Sequence, residues 1–226
     1  MKRSRPVVAI DGPVSAGKST VARRLAEVLG FDYVNTGAMY RAVAIVARAA
    51  GISDDDREAE RKLDALLKTA RIDFSDGRIM LDGRDISAEI GTPEMSESAS
   101  RLSTLGVVRA RMRDLQRAAG ARGGVVMEGR DIGTAVFPDA EFKFFLDASA
   151  EVRAERRWRE LAAHGVRIAR EEVLAQLQER DRRDRGRELA PLKPAPDAIV
   201  VDASRMSVEE VVTLMAERVS ARGGAA

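Results

Sequence analysis

A glycine-rich segment near the N-terminus constrains this chain more than any other feature. The apolar run Val7–Ile10 precedes the pattern G-x-x-x-x-G-K-S, and a helical pattern begins near the lysine of that motif. A strand, this loop and a helix in that order form the context in which the motif binds phosphate groups. The segment therefore predicts a site for a nucleoside triphosphate, formed by Gly12, Pro13, Val14, Ser15, Ala16, Gly17, Lys18, Ser19 and Thr20.

The residue types of this loop each suit phosphate binding. Gly12 and Gly17 permit backbone torsions that point successive N–H groups at an anion. Lys18 brings a positive charge to the β- and γ-phosphates, beside the positive end of the helix dipole. Ser19 offers the hydroxyl with which such loops bind Mg²⁺. The alternative is a glycine-rich turn before an ordinary helix, which the flanking strand and helix disfavour.

The charge balance favours a small phosphorylated ligand over a nucleic acid. The 226 residues include 38 basic and 36 acidic side chains, a net charge of +2. This balance predicts no strongly basic surface, and aromatic residues for base stacking make up only 4% of the chain. Cysteine is absent, which excludes disulfides and thiolate metal sites.

The hydropathy of the chain predicts a protein that works outside membranes. No apolar run approaches the length of a membrane span, and the N-terminus lacks the apolar core of a signal peptide. We therefore expect a cytoplasmic protein that has no membrane partner. Separately, we expect a monomer.

Alternating strand and helix patterns predict an α/β fold. Helical patterns separate apolar runs that are typical of buried parallel strands, at Val7–Asp11, Tyr33–Val34, Val125–Glu128, Phe142–Asp147 and Ala198–Asp202. Crossover helices between parallel strands cover both faces of a sheet. We predict a P-loop nucleoside triphosphate hydrolase-type fold, with a five-stranded parallel sheet and helices on both faces.

The middle of the chain departs from this alternation. A charged amphipathic helix is predicted from Asp54 to Ala70. The dipeptides Asp76–Gly77 and Asp82–Gly83 then separate short strand-like runs, which predicts two hairpin turns and a small antiparallel insert. The closing helix is predicted from Ser207 to Ala221, with Ser207 and Glu210 as a capping box.

Arginine-bearing motifs narrow the choice among phosphate-loop proteins. Asn35 is the only asparagine, so the Asn-Lys-x-Asp motif of GTPases is absent, and the single histidine is not in a protein-kinase catalytic loop. The segments Asn35–Arg41 and Glu128–Thr134 each follow a predicted strand, at the edge where α/β folds bind ligands. Glu179–Arg187 ends a predicted helix, on which Arg180 and Asp184 share a face.

These motifs together resemble those of bacterial cytidylate kinases, in the nucleoside monophosphate kinase superfamily. The resemblance extends from the phosphate loop to the last strand and rests on Thr36–Arg41, Gly129–Thr134 with Phe137–Ala140, and Arg180–Asp184 with Ala190–Leu192. It implies a single domain spanning residues 1–226, with a substrate-binding insert at about 71–95 and a helical lid at about 153–168. Asn35, where aspartate is expected, and Val14, where a small residue is common, depart from the family pattern.

The resemblance also implies an activity and a role for particular residues. The activity is phosphorylation of CMP, and of dCMP, by ATP with Mg²⁺, and the catalytic residues are Lys18, Arg130, Asp131 and Arg187. The CMP-binding residues comprise Arg41, Arg130 and Arg187 on the phosphate, Ser100, Arg109 and Asp131 on the cytosine, Arg180 and Asp184 on the ribose, and Thr36. The lid arginines that would close over the transferred group are Arg153, Arg156, Arg157 and Arg159.

The tolerance for UMP, the role of Asp11 and the choice among related functions stay open at the level of the sequence. A carboxylate such as Asp131 accepts from the amine of cytosine and repels the carbonyl of uracil, so it favours CMP. Asp11 either contacts the ligands of a magnesium ion, without touching the ion itself, or is only the polar end of a strand. Alternative functions are another small-molecule kinase acting on UMP, AMP or shikimate, and an RNA-binding protein switched by ATP.

Overall fold

The computed structural model describes residues 3–53, 56–75 and 77–223. The strands in these ranges are β1 Val7–Asp11, β2 Asp32–Asn35, β3 Ile72–Ser75, β4 Arg78–Leu81, β5 Arg84–Asp85, β6 Val125–Gly129, β7 Phe142–Asp147 and β8 Ile199–Asp202. The helices are α1 Lys18–Leu29, α2 Thr36–Ala49, α3 Ala59–Thr69, α4 Pro93–Leu102, α5 Gly106–Gly120, α6 Ala150–Ala163, α7 Arg170–Arg185 and α8 Val208–Gly223. A 3₁₀ turn at Glu89–Gly91 and a π-helical turn at Ile132–Val136 are also present.

The larger sheet in the described part of the chain confirms the α/β prediction. Five strands lie in the order β2-β6-β1-β7-β8, and β1 pairs in parallel with both β6 and β7. At the end of β1, Asp11 is in register with Gly129 of β6 on one side and with Phe145 of β7 on the other. The phosphate loop therefore leaves from the central strand, between the ends of β6 and β7.

The described residues divide into two compact units, one up to Tyr33 and from Arg122 onward, the other between Val34 and Ala121. In the first unit, α1 and α8 pack on the same apolar core as the sheet. Leu25 and Met215 are fully buried there with Ile10 and Phe144 of the central strands. Burial of such side chains stabilises a fold by about 1.5–3 kcal/mol each. This core holds the strand before the phosphate loop and the helix after it in place.

Helices α6 and α7 of the first unit form a separate small core. Leu161 and Leu177 are buried in it, and the side chain of Val14 in the phosphate loop packs against it. A turn at Gly165 joins the two helices, with a φ of 77° that favours glycine. The valine that departs from the family pattern thus connects the loop to the segment predicted as a lid.

The second unit contains α2 to α5 and a small antiparallel sheet, which confirms the predicted insert strands. The sheet order is β3-β4-β5, with Ile72 opposite Leu81 and Met80 opposite Asp85. Asp82 and Gly83 both have positive φ, as a two-residue hairpin turn requires. Asp76 of the other predicted turn lies outside the described residues.

Two helices in the second unit differ from the sequence prediction. Helix α3 begins at Ala59, and Asp54, the predicted start, lies outside the described residues. Helix α4 was not predicted, although Thr92 and Pro93 are a start signal. The Thr92 hydroxyl accepts from the N–H of Met95 at 3.2 Å. Within the described ranges, none of the helices combines the length and apolarity needed to cross a bilayer.

Candidate active site

The phosphate loop adopts a backbone that requires glycine at two positions. Gly12 has a φ of 151°, and a Cβ atom there would lie 2.0 Å from the carbonyl oxygen of Leu146. Gly17, the N-cap residue directly before α1, has a φ of 97°. Ser15 has a φ of 60°, a left-handed conformation that few residues other than glycine adopt. The loop therefore passes against β7 and presents its backbone where an anion meets the start of α1.

Lys18 is a buried cation with other cations nearby. Its side chain is 5% exposed, and Nζ donates to the carbonyl oxygen of Pro13 at 2.6 Å. Burial, together with the positive charge of Arg130, lowers the pKa of the Lys18 ammonium to about 7, while Glu128 acts in the opposite direction. A phosphate group would relieve this penalty, so the residues present fit the β- and γ-phosphates of a nucleoside triphosphate.

Ser19 and its neighbours fit a magnesium ion bound together with those phosphates. Ser19 and Thr20 are exposed in the first turn of α1. The Tyr33 phenol donates to Oε1 of Glu128 at 2.7 Å. Burial and the charge of Glu128 raise the pKa of this phenol, and the nearby Ser19 hydroxyl acts in the opposite direction. A hydroxyl oxygen near a buried carboxylate is the kind of hard donor that Mg²⁺ prefers.

Asp11 fastens the end of β1 to the loop after β6. Its Oδ1 accepts from the N–H of Ile132 at 2.8 Å, and its Oδ2 accepts from the N–H of Gly133 at 2.7 Å. Burial raises the pKa of Asp11 to about 7, with the two N–H donors acting against this rise and the charge of Asp131 adding to it. Both carboxylate oxygens therefore hold the backbone immediately after Asp131, which is itself 7% exposed.

One buried carboxylate holds two of the predicted phosphate-binding arginines. Asp184, at the end of α7, is 1% exposed and accepts from Nε of Arg130 at 3.0 Å and from the guanidinium of Arg187. Burial alone would raise the pKa of this carboxyl, but the charges of Arg130, Arg187 and Arg180 hold it below its usual value. The structure thus brings these four predicted residues together, with Asp184 bound to arginines. A role for Asp184 on the ribose stays a prediction.

The four predicted lid arginines differ in their surroundings. Arg153 is buried, pairs through two nitrogens with Asp181 and donates to the carbonyl oxygens of Ala148 and Val14. Arg156 donates to the carbonyl oxygens of Ala16 and Ala203. Arg157 pairs with Glu160, and Arg159, whose side chain is 73% exposed, pairs with Glu155. Arg153 and Arg156 therefore both donate to backbone carbonyl oxygens of the phosphate loop.

Two of the predicted CMP-binding residues lie at the start of α2 in the second unit. Thr36 is buried as the first residue of α2, and Arg41, in the second turn of this helix, is partly buried. The side chain of Asn35 accepts from the N–H of Ala38 at 3.0 Å. Asparagine therefore caps the helix as an aspartate would, which explains why this departure from the family pattern is tolerated.

The other two predicted CMP-binding residues of this unit are linked through Ser103. The Ser103 hydroxyl donates to the carbonyl oxygen of Ser100 at 2.7 Å, and the guanidinium of Arg109 donates to the carbonyl oxygen of Ser103 at 3.2 Å. Ser100, at the end of α4, is thereby held beside the start of α5.

Sequence patterns missed several residues that support the site. Tyr33, Asp181 and Ser103 make the contacts described above; Tyr33 and Ser103 lie outside the motifs, and Asp181 lies in Arg180–Asp184 without a predicted role. A signal was available only for Asp181, which lies within the arginine-rich end of α7. Tyr33 gave no signal because its partner is 95 residues away, and Ser103 gave none because its hydroxyl binds a backbone carbonyl oxygen.

Comparison with known proteins identifies the family. A family model described as cytidylate kinase matches residues 8–221. Cytidylate kinase of Geobacter sp. (strain M21) is 49% identical over 220 residues, which cover 96% of this chain and 93% of that protein. Cytidylate kinase of Pelotomaculum thermopropionicum is also 49% identical over 220 residues, covering 96% of this chain and 97% of that protein.

A solved structure supports the fold independently. Shikimate kinase from Acinetobacter baumannii in complex with shikimate superposes with a TM-score of 0.50, covering 97% of this chain and 96% of that chain. Its sequence identity is only 14%, so this likeness concerns the architecture alone. The resemblance first drawn from the arginine motifs is confirmed by sequence identity over almost the whole length, and this chain belongs to the cytidylate kinase family.

Proposed function

We propose that this chain transfers the γ-phosphoryl group of ATP to the phosphate of CMP or dCMP, forming ADP and CDP or dCDP. The observation that carries the proposal is the Asp184 carboxylate, which holds Arg130 and Arg187 in the same unit as the buried Lys18. Two polyanions repel each other, so an enzyme that joins them needs several fixed cations. Membership of the cytidylate kinase family supports CMP as the acceptor.

The chemistry consists of one bond formed and one broken. A phosphate oxygen of CMP forms a bond to the γ-phosphorus, while the bond from that phosphorus to the bridging β,γ-oxygen breaks and ADP leaves. Lys18 binds the β- and γ-phosphates, and Arg130 and Arg187 bind the acceptor phosphate, as Arg41 does in this proposal. Mg²⁺, when bound, neutralises charge on the donor phosphates, and Ser19 is the residue that would hold it.

Recognition of the base rests on Asp131, Ser100 and Arg109. Asp131 is buried after β6, and Asp11 holds the backbone that follows it. Its carboxylate accepts from the exocyclic amine of cytosine and would meet the carbonyl of uracil with like charge. Thr36 contributes to the same nucleotide, and Arg180 and Asp184 contribute to the ribose.

Movement and assembly complete the proposal. The insert at about residues 71–95 receives CMP, and the segment at about residues 153–168 closes over both nucleotides, excluding water as a competing acceptor. Hydrogen exchange of the two segments with and without both nucleotides tests this closure. The monomeric state and the cytoplasmic location stay predictions, which light scattering and cell fractionation test.

ADP release measured with each nucleoside monophosphate in turn tests the function directly. CMP and dCMP are expected to stimulate release strongly, with UMP, AMP and shikimate far weaker. Stimulation by AMP or shikimate in place of CMP would contradict the proposal. Tight, salt-sensitive RNA binding without acceptor-dependent ADP release would instead support the RNA-binding alternative.

A further inference from the structure

The buried Asp11 binds the backbone of the segment that follows Asp131. Asp11 is 4% exposed, and its two carboxylate oxygens accept from the N–H groups of Ile132 at 2.8 Å and Gly133 at 2.7 Å. These are the first two backbone N–H groups after Asp131. The end of β1 is thereby joined to a segment that begins 121 residues further along the chain.

The peptide group between Asp131 and Ile132 is fixed from both sides. Its N–H donates to Asp11, and its carbonyl oxygen accepts from the N–H groups of Ala135 at 2.8 Å and Val136 at 3.2 Å. Asp131 has a φ of −148° and a ψ of 24°, which is neither helical nor fully extended. Because ψ relates the Cα–Cβ bond to that peptide group, the hydrogen bonds to Asp11 help to determine where the Asp131 carboxylate points.

The chain before Asp131 is held as well. Gly129, at the end of β6, is in register with Asp11, and the side chain of Arg130 donates to Asp184. With the chain fixed on both sides, the Asp131 side chain leaves the backbone from a defined position.

We infer that Asp11 is a positioning residue that strengthens the preference for cytosine over uracil by fixing the Asp131 carboxylate. This inference deepens the proposed function and rests on it for the contact between Asp131 and the base. Cytosine presents an amine where uracil presents a carbonyl, so discrimination requires the carboxylate to lie within hydrogen-bond distance of that one group. A displaced carboxylate would attract cytosine less and repel uracil less.

The alternative is that Asp11 only supports the phosphate loop, which begins at the next residue. Loss of that support would impair the use of ATP and would lower turnover with every acceptor by the same factor. Loss of the contact that fixes Asp131 would lower turnover with CMP more than with UMP. The ratio of kcat/KM for CMP to that for UMP therefore separates the two roles.

Asp11→Asn tests the inference in the full chain, with ATP and Mg²⁺ saturating. The amide oxygen can accept from one of the two N–H groups, but the amide nitrogen is itself a donor and faces the other. A buried N–H then lacks an acceptor, so the segment is expected to shift. The ratio of kcat/KM for CMP to that for UMP is expected to fall by roughly threefold to tenfold, a part of what a good base contact supplies.

A double-mutant cycle shows whether Asp11 acts through Asp131. In the Asp131→Asn background, Asp11→Asn is expected to have no further effect on the ratio. Asp56→Asn is the matched control, because it also removes a carboxylate oxygen that accepts from a backbone N–H, that of Glu58 at 2.8 Å. This control is expected to keep the wild-type ratio.

Gly133→Ala displaces the same segment while the Asp11 carboxylate is retained, and it decides the question if Asp11→Asn does not fold. The new Cβ atom would lie 3.2 Å from Cδ of Lys143 and 3.4 Å from Oδ2 of Asp11. The Lys143 side chain is itself held by Asp197 at 2.9 Å, so the segment is expected to move instead. The ratio is expected to fall in the same direction as in Asp11→Asn.

Two results would overturn the inference. One is a wild-type ratio in Asp11→Asn, or in Gly133→Ala where that variant decides, and the other is an equal fall of the ratio with and without the Asp131 carboxylate. A wild-type protein that does not prefer CMP would contradict the proposed function instead.

Amide hydrogen exchange of Ile132 and Gly133, measured by NMR without nucleotides, does not depend on the acceptor. Exchange is expected to become roughly tenfold faster in Asp11→Asn, because the hydrogen bonds that protect these amides are lost or weakened. Unchanged exchange would show that Asp11 does not fix the segment and would overturn the inference whichever nucleotide is the substrate.

Discussion

The Nε atom of Arg130 donates to Oδ2 of Asp184 at 3.0 Å, joining the loop after β6 to the last turn of α7. Arg187 binds the other oxygen of the same carboxylate. One buried anion thus keeps two guanidinium groups together that would otherwise repel each other. The arrangement leaves a net positive charge beside Lys18, which is what an incoming phosphate requires.

Asp184→Asn tests this arrangement. Removing the negative charge leaves buried arginines uncompensated, and breaking such a pair typically costs about 3–5 kcal/mol. We expect a loss of stability of that order in urea unfolding, together with a large fall in kcat/KM for CMP. Asp139→Asn, which removes an exposed partner of Arg3, serves as control and should cost less than about 1 kcal/mol. Equal losses in the two variants would exclude this role for Asp184.

The same carboxylate predicts a pH dependence of stability. The pKa of Asp184 is lower in the folded protein than its ordinary value of 3.8. Its stabilisation is therefore fully present above that value and is lost as the pH falls through the lower, folded pKa. Unfolding free energies measured between neutral and acidic pH should show a decline in the wild type that is weaker in Asp184→Asn. Parallel curves for the two proteins would contradict this assignment.

Binding of ATP should be coupled to proton uptake by Lys18. Its pKa of about 7 in the free protein means that a large fraction of the ammonium is deprotonated at slightly alkaline pH. Phosphate binding favours the charged form and raises this pKa, so affinity should fall as the pH rises above 7. Calorimetry at pH 8, in buffers of different ionisation enthalpy, should detect uptake of up to about one proton per site.

Lys18→Met is the matched variant for that measurement. It should abolish both the proton uptake and phosphoryl transfer while keeping the fold, because it removes a buried charge and retains an unbranched apolar chain. Circular dichroism and thermal melting check the fold. Undiminished proton uptake in Lys18→Met would assign the titration to another group, with Asp11 as the nearest candidate.

Asp131→Asn should weaken discrimination between CMP and UMP. An amide both donates and accepts, so the repulsion of the uracil carbonyl is lost along with the strong acceptor for the cytosine amine. A good base contact is worth about 1–3 kcal/mol, so the ratio of kcat/KM for CMP and UMP should fall by about tenfold or more. An unchanged ratio would remove Asp131 from base recognition.

Arg153→Lys should destabilise the phosphate loop. The lysine keeps the charge but loses the two-nitrogen pairing with Asp181 and the contacts to the carbonyl oxygens of Ala148 and Val14. We expect a lower melting temperature and weaker ATP binding. Arg24→Lys, at an exposed pair with Glu27, is the control and should change neither. Wild-type ATP affinity in Arg153→Lys would contradict this role and would favour the prediction that Arg153 acts as a lid arginine.

Local patterns were sufficient where neighbours in sequence determine the structure. The predicted strands Val7–Asp11 and Phe142–Asp147 have the observed bounds. The capping box also formed: the Ser207 hydroxyl accepts from the N–H of Glu210 at 3.2 Å. Helix α4 and the π-helical turn at Ile132–Val136 were missed, because polar residues and glycines obscure their periodicity.

The sequence by itself determined the phosphate loop, the parallel sheet and the family, because these depend on motifs and periodicities that lie within a few residues. Only the tertiary structure decided what the charged side chains do. Asp11 accepts from the backbone N–H groups of Ile132 and Gly133, and Tyr33 donates to the buried Glu128. A buried polar group takes whichever partner the packed fold brings to it, and that partner can lie a hundred residues away.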